Sequence, residues 1–515
     1  MKTLFMMLAA TCAWAATSCD SLKELKLPET TITQAETVAA GAFKPPKGVT
    51  GVFQNLPAFC RVAGSIKPSA DSDIRFEVWL PVENWDGRFQ GVGNGGFAGS
   101  INYEGLANEV ANGGATASTD TGHPIEGINA SWALGHPEKL IDYGYRAIHE
   151  TAVKGKAIVS AFYGENPKHS YFASCSNGGR QALMEAQRYP ADYDGIIAGA
   201  PAYAFTHLMA QFVWNSQALT VDPASYIPPA KLAAVAAAVL SACDELDGVK
   251  DGLIEDPSKC HFDAAKLLCS GEETKECLTQ PQVTALNKIY AGPKGVNPGF
   301  APGGETGLGG WTGWILGMSP TKSAEYGFGT QSFANFVYDN ASWDYHTFQL
   351  PRDLKRADER AGKALNAMDP NLKAFRDRGG KLILYHGWSD AAIPPANAVQ
   401  YYTSLKAKMG AAQVESFARL FLIPGMQHCE GGPGPNSFGE YVGPRMDAEH
   451  DIYQAVERWV ETGIAPNKII AVKYKSDQNP NSGVIRTRPL CRYPEIAKYS
   501  GTGSIDDATN FACVK

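Results

Sequence analysis

The chain is thin in charge and carries no block of it. Asp, Glu, Lys and Arg make up 19% of its 515 residues, the formal net charge is −7, and no basic cluster stands anywhere along it. A nucleic-acid surface needs such a cluster to neutralise phosphates, so that class of partner is not expected. Beyond the N-terminus no second long apolar run suggests a bilayer span. No CxxC pair and no His–Cys pairing at zinc spacing occurs, which speaks against a structural zinc site. One absence is local: between Arg188 and Arg352 there is no arginine.

What is present starts at the N-terminus. Met1-Lys2, the apolar stretch Leu4 to Ala10 and the small residues around Ala13-Trp14-Ala15-Ala16 have the three regions of a secretory signal. Residues 1–16 are expected to be removed from a secreted or periplasmic protein. Lipid attachment at Cys19 is the alternative, because Ala16-Thr17-Ser18-Cys19 loosely resembles a lipobox without its usual leucine. Export changes the reading of the eleven cysteines. Cys12 leaves with the signal, and the other ten are an even number where disulfides persist. Cys243 with Cys260, Cys269 with Cys277 and Cys491 with Cys513 are natural local brackets. Cys19 with Cys60 and Cys175 with Cys429 remain for longer closures, with free buried thiols as the alternative.

The chemistry concentrates at three points. Tyr171-Phe172-Ala173 reads as a strand, Gly178-Gly179 as a turn, and Ala182, Leu183 and Ala186 as a helix face, with Ser176 between them. Strand, tight turn and helix form a nucleophile elbow, which sets a serine hydroxyl at the head of a helix. Ser174 stands where the first glycine of G-x-S-x-G is usual. Asp390 follows the strand Lys381 to Tyr385, and His428 follows the strand Leu420 to Ile423. Ser, Asp, His is the order of an α/β-hydrolase fold, with each residue beyond the carboxyl end of a strand. Cys175 is the competing nucleophile, but a bond to Cys429 would consume it. That bond would close a loop worth about 4–5 kcal/mol and hold Ser176 beside His428. An oxyanion hole needs two N–H donors. Asn177, next after the serine, supplies one, and the glycine run Gly91 to Gly96 supplies the other at Gly96, or failing that Gly95.

Expected boundaries follow from this scatter. Residues 17–202 and 370–515 form the two parts of the hydrolase domain, and the loop-rich stretch 203–369 an inserted lid. Within the lid, Cys243 to Asp256 repeats carboxylates between glycine turns. Asp244, Asp247 and Asp251, with the carbonyls of Val249 and Leu253, offer Ca²⁺ the hard oxygen ligands it takes. A solvated acidic turn is the alternative.

The C-S-x-G-G-R motif at Cys175 to Arg180, the run Ala198 to Pro201, HGWSD, PGMQHC, the Asp-rich loop and RTRPLCRYP together resemble the tannase and feruloyl esterase family. The resemblance implies the triad Ser176, Asp390 and His428, the oxyanion donors Gly96 and Asn177, the five calcium ligands just named and the disulfides Cys19–Cys60, Cys175–Cys429, Cys243–Cys260, Cys269–Cys277 and Cys491–Cys513. It implies a small aromatic ester as substrate, no organic cofactor, and aromatic contacts at Trp314 and Phe328 with Ser332 nearby. The family branch that hydrolyses mono(2-hydroxyethyl) terephthalate is especially similar. That branch binds its substrate's free carboxylate through a lid arginine, and here Ala324 or a neighbour falls at that place, with Lys322 as a possible stand-in. Three readings remain: an esterase of feruloyl or galloyl type, a terephthalate monoester hydrolase, and a calcium-stabilised binding module with a dead triad. Oligomeric state is not legible.

Overall fold

Short strands rich in Val, Ile, Leu and Phe, separated by amphipathic helices, assemble one nine-stranded sheet in the computed structural model. It describes residues 18–515 apart from 52, 125–126, 441–444 and 478, so the expected signal segment 1–16 lies outside the described residues. The strands are β1 Thr30–Val38, β2 Phe59–Ile66, β3 Ile74–Pro81, β4 Arg88–Val92, β5 Ala115–Thr119, β6 His169–Cys175, β7 Gly195–Gly199, β8 Lys381–Gly387 and β9 Ala418–Ile423. Their order across the sheet is β1-β2-β3-β5-β4-β6-β7-β8-β9. The first three run antiparallel, as does the β3/β5 pair, and every pair from β5 to β9 is parallel. Parallel strands are covered on both faces, which is why β7 and β8 are almost wholly buried. This is the α/β-hydrolase fold.

The chain leaves the sheet after Gly199 and returns at Lys381. Helices Phe205–Thr220, Leu232–Cys243, Gln280–Ala291 and Ala324–Ser332 fill the interval. Phe205, Leu208, Met209, Phe212, Val213 and Leu219 recur at helical spacing and are buried. The first five pack in one cluster with Phe97 and Ile393, which joins the lid to the catalytic face of the sheet. A second cluster around Leu219, Val235, Leu286, Ile289 and Trp311 fills the lid and takes in Ala391 beside Asp390. One stretch among the described residues, Pro223–Asp247, is long and apolar enough, by length and composition alone, to cross a membrane, a test that a buried core helix also passes. Alanines supply much of that apolarity, and Leu232, Val235, Val239 and Cys243 are buried in the lid cluster. The disulfides are Cys19–Cys60, Cys175–Cys429, Cys243–Cys260, Cys269–Cys277 and Cys491–Cys513. A bonded Cys19 leaves no thiol for a lipid, which removes the lipobox alternative.

The helices Phe205–Thr220 and Ala324–Ser332 approach closely because Gly329 has no side chain; a Cβ there would stand 3.0 Å from Val213. Between them Asn215 Nδ2 donates to Glu325 Oε2 at 3.0 Å. Glu325 Oε1 and Asn215 Oδ1 are both buried and without a partner among the described residues. Burial pushes the Glu325 carboxyl well above its ordinary value, against the lowering effect of the Asn215 bond. The neutral acid is the form this interior accepts. Its contribution to stability is therefore fully present below the unfolded-chain value of 4.5 and is lost as pH rises toward the raised folded value. Glu325→Gln removes the titration. The melting temperature of Glu325→Gln minus that of the parent should grow as pH rises from 5 to 8; a constant difference would contradict a neutral Glu325.

Candidate active site

Ser176 sits between β6 and the helix Asn177–Arg188 with φ 66° and ψ −126°, a left-handed conformation that costs a non-glycine residue about 1–3 kcal/mol. The turn closes because its neighbours are small. A Cβ on Gly178 would come within 1.9 Å of Ser174 Oγ, and one on Gly179 within 2.2 Å of the Gly199 carbonyl oxygen. Ser174, the departure from the usual glycine, is accommodated by room left at Gly178 and at Gly93, whose added Cβ would lie 2.8 Å from it.

The structure brings Ser176, His428 and Asp390 together. His428 Nε2 lies 2.9 Å from Ser176 Oγ, and His428 Nδ1 lies 2.8 Å from Asp390 Oδ2. Cys429, also left-handed at φ 65°, bonds Cys175 with a Cα separation of 5.9 Å, so the residues adjoining the serine and the imidazole are covalently joined. Asp390 is 2% exposed, and its Oδ1 accepts the N–H groups of Ala392 and Ile393 at 2.7 and 2.9 Å. Burial alone would raise its carboxyl. The charge of His428 and the hydrogen bonds from His386 and His428 outweigh burial and hold it well below the usual carboxylate range.

His386 was missed in the sequence. Its Nε2 lies 3.0 Å from both Asp390 Oδ2 and the Ile393 carbonyl oxygen. Both partners are acceptors, so Nε2 carries the proton and the buried Nδ1 is left without a partner among the described residues. Two imidazoles thus converge on one carboxylate oxygen. The i,i+4 spacing inside HGWSD was the available signal.

The glycine loop is pinned to the nucleophile helix by side chains that sequence reading also passed over. Asn177 Nδ2 donates to the Asn94 carbonyl at 3.1 Å, and Asn177 Oδ1 accepts from Arg180 Nε at 2.8 Å and from the Tyr143 hydroxyl at 3.0 Å. That hydroxyl also lies 3.1 Å from the Gly96 carbonyl oxygen. Gln181 Oε1 accepts the Asn94 N–H at 3.0 Å. Arg180, fully buried, spends three of its four remaining N–H groups on the carbonyls of Tyr143, Gly144 and Leu365. Gly96 itself has φ 54°, and Asn177, as first residue of its helix, has no intrahelical acceptor for its N–H.

Two cavities meet at Ser176 and His428. The larger, about 1250 Å³, is lined by polar groups that include Glu104, Asn108, Thr306 and Glu430. The smaller has Gly96 and Asn177 at its mouth and an apolar wall. Neither has a Lys or Arg among its described lining residues. Trp314 stands edge-on to His428 with centroids 5.1 Å apart, and nearly parallel to Phe328 at 6.2 Å. Ser332, one helical turn past Phe328, is buried and lines neither cavity. Lys322 is exposed and also lines neither, so it offers no replacement for a lid arginine.

The Asp-rich loop docks against strand Val484–Cys491, where Arg488 and Arg486 pair with Asp251 at 2.5 and 3.5 Å. Glu245 pairs with Lys250 and Asp256 with Lys259. Asp244, Asp247 and Glu255 accept only backbone N–H groups, from Asp251 and Gly252, Val249 and Ala497 respectively. Arg488 also acts electrostatically on Asp247 and Glu255, and with the backbone oxygens of buried Val249 and Leu253 the loop offers a hard cation oxygen donors of the kind it takes. A second acidic group lies away from the serine: ligand atoms of His149, Glu185 and Asp192 all fall within 4.8 Å of one another, a cluster that could coordinate a metal ion.

A strained serine on an elbow, with imidazole and carboxylate in series at the carboxyl edge of a parallel sheet, defines an α/β-hydrolase-fold site. The family described as tannase and feruloyl esterase matches residues 60–514. An uncharacterized esterase of Xanthomonas campestris pv. campestris is 43% identical over 100% of this chain and 95% of its own length. The mono(2-hydroxyethyl) terephthalate hydrolase of Piscinibacter sakaiensis is 34% identical over 96% and 91%. The crystal structure of feruloyl esterase B from Aspergillus oryzae superposes with a TM-score of 0.88 at 30% identity, covering 96% of this chain and 99% of that one. The chain belongs to the tannase and feruloyl esterase family, and it is a carboxylic ester hydrolase.

Removing the His386 donor should make Asp390 pull harder on the His428 proton. A hydrogen bond to a charged group contributes about 1.5–3 kcal/mol, so His386→Leu should lower kcat/KM by about tenfold or more. It should also move the acid limb of the pH profile upward. His386→Gln, whose amide reaches toward the Nε2 position, should retain most activity. An unshifted profile in a folded His386→Leu would leave His386 a packing residue only.

Proposed function

We propose that this protein hydrolyses esters of aromatic carboxylic acids through an acyl-enzyme on Ser176. The observation that carries the reading is the series Ser176 Oγ to His428 Nε2 at 2.9 Å and His428 Nδ1 to Asp390 Oδ2 at 2.8 Å, placed where a small apolar pocket meets a larger cleft of mixed lining. His428 takes the Ser176 proton as the hydroxyl attacks the ester carbonyl, and Asp390 orients the imidazole and stabilises the imidazolium. The N–H groups of Gly96 and Asn177 receive the developing oxyanion. His428 then protonates the leaving alkoxide, and a water activated by the same imidazole releases the acid.

The names of the relatives support an aromatic acyl group, feruloyl in one and terephthaloyl in another. A terephthalate monoester carries a free carboxylate, and burying an unpaired charge is costly. The absence of Lys and Arg from the described lining of both cavities therefore favours the neutral, feruloyl-type acyl group. Export to an oxidising compartment is supported by the N-terminal sequence pattern and by five disulfides.

Calcium is the cation proposed for the lid loop, held by the carboxylates of Asp244, Asp247 and Asp251 and the carbonyls of Val249 and Leu253. When bound it would supply positive charge to the loop and take no part in acyl transfer. Asp251 would then share its carboxylate with Arg488.

A fluorophosphonate probe should label the protein at Ser176, and Ser176→Ala should abolish both labelling and ester hydrolysis while leaving the melting temperature near the parent's. Hydrolysis retained by the alanine variant would refute the mechanism, and absence of labelling would favour a binding module. Chelation by EDTA should lower the melting temperature, with recovery on added Ca²⁺. A site held at a hundred times its Kd stabilises by about 2.7 kcal/mol, and an unchanged melting curve would point to a plain solvated acidic turn.

A further inference from the structure

We propose that the lid loop 303–310 is a substrate-binding element of the esterase: Leu308 covers the apolar part of an ester that extends outward from Ser176, and Gln427 is the positioning residue that holds the loop in place. The inference deepens the ester-hydrolase reading above and rests on it.

Most of an aromatic ester has to lie in the larger cleft. The pocket beside Ser176 holds about 50 Å³, little more than the roughly 30 Å³ that one water occupies in the liquid. The cleft holds about 1250 Å³, and Gly307, Leu308 and Gly309 line it together with Ser176, Trp314 and His428. Leu308 is 97% exposed, the highest value of any large apolar residue described. Gly307 and Gly309 on either side have φ 90° and 88°, where a side chain would be strained. The leucine is thus set out at the tip of a turn that only glycines close. An apolar side chain left in water on the wall of a reactive cleft gains free energy when a ligand covers it.

The base of the loop is bonded to the residues that precede both the catalytic acid and the catalytic base. Ser389 Oγ, next to Asp390, donates to the Gly303 carbonyl at 2.9 Å. Gln427 Nε2, next to His428, donates to the carbonyls of Gly304 and Thr306 at 3.3 and 3.2 Å. Between them Glu305 turns inward, 1% exposed, and accepts the Tyr290 hydroxyl at 2.7 Å and the Gly303 N–H at 2.9 Å. Gly304 fits against Ser389 for want of a side chain, since a Cβ there would stand 2.5 Å from the Ser389 carbonyl oxygen. Gln427 is itself buried and lines neither cavity, so its amide reaches a substrate only through the loop. The wall that carries Leu308 is therefore registered to the two residues that activate the serine.

The test uses the purified, oxidised, calcium-supplemented protein and two ester series. Methyl and butyl ferulate lengthen the alcohol half, and 4-nitrophenyl acetate and hexanoate lengthen the acyl half. Leu308→Ser should lower the long-to-short ratio of kcat/KM in at least one series by about three- to tenfold, mainly through KM. That is less than several methylenes give in an enclosed pocket, because Leu308 covers the chain on one side only. The series that responds identifies the half of the ester that meets the loop. Ratios unchanged in both series, or kcat lowered equally for long and short esters, would overturn the inference; an exposed Leu308 makes loss of folding no excuse. Gln427→Met keeps the side chain's length without its donors and should lower the same ratio at least about twofold. In the Leu308→Ser background it should lower that ratio no further, because it acts through the leucine; additive losses would overturn its positioning role. If the parent cleaved the 4-nitrophenyl esters and no ferulate, the aromatic-acid reading would fail, and the 4-nitrophenyl ratio would still decide the role of Leu308.

Discussion

The contact on which the site depends is the bond between Cys175 and Cys429. Ser176 and Cys429 both hold left-handed backbone conformations that a residue with a side chain resists. Left free, either loop could relax toward an ordinary conformation and carry the hydroxyl or the imidazole out of register. The bond ties the residue before the serine to the residue after the histidine, across a sequence separation of 254. Strain at one loop is therefore opposed through the other. The geometry that results, 2.9 Å from Nε2 to Oγ, is that of a hydrogen bond ready for proton transfer.

A second tie works on the opposite side of the serine without covalent help. Asn177 and Arg180, one turn apart on the nucleophile helix, reach the glycine loop directly and through Tyr143. The carbonyls of Asn94 and Gly96 are drawn toward these side chains. A carbonyl held in that way fixes the peptide planes of its loop, and with them the direction of the N–H groups that face the reacting oxygen. Burying a guanidinium at 0% exposure is costly unless its donors are satisfied. Here four of its five N–H groups meet a side-chain oxygen and three carbonyls, so the charge becomes a fixed point around which the loop is built.

The sequence made the fold and the elbow legible because both are local patterns. Apolar strands at 171–173, 381–385 and 420–423 and the glycines after Ser176 have short-range signatures, and the order Ser, Asp, His placed them on one sheet edge. What stayed hidden was long-range. His386 is an ordinary strand residue until the turn 387–393 folds its carboxylate back beneath it. Tyr143 and Arg180 become partners only once the helix Ala147–Tyr163 and the nucleophile helix flank the sheet. Ser332, one turn along the lid helix from Phe328, lines neither cavity, since spacing on a helix gives a face but not how far a cavity extends along it.

Electrostatics separates the two halves of the site in a way that none of the motifs specify. Asp390 keeps its charge in a buried setting only because two imidazole N–H groups and two backbone N–H groups converge on it. Nothing of the kind awaits an anion in the neighbouring pocket, where Phe, Leu, Met and Ile side chains make the wall.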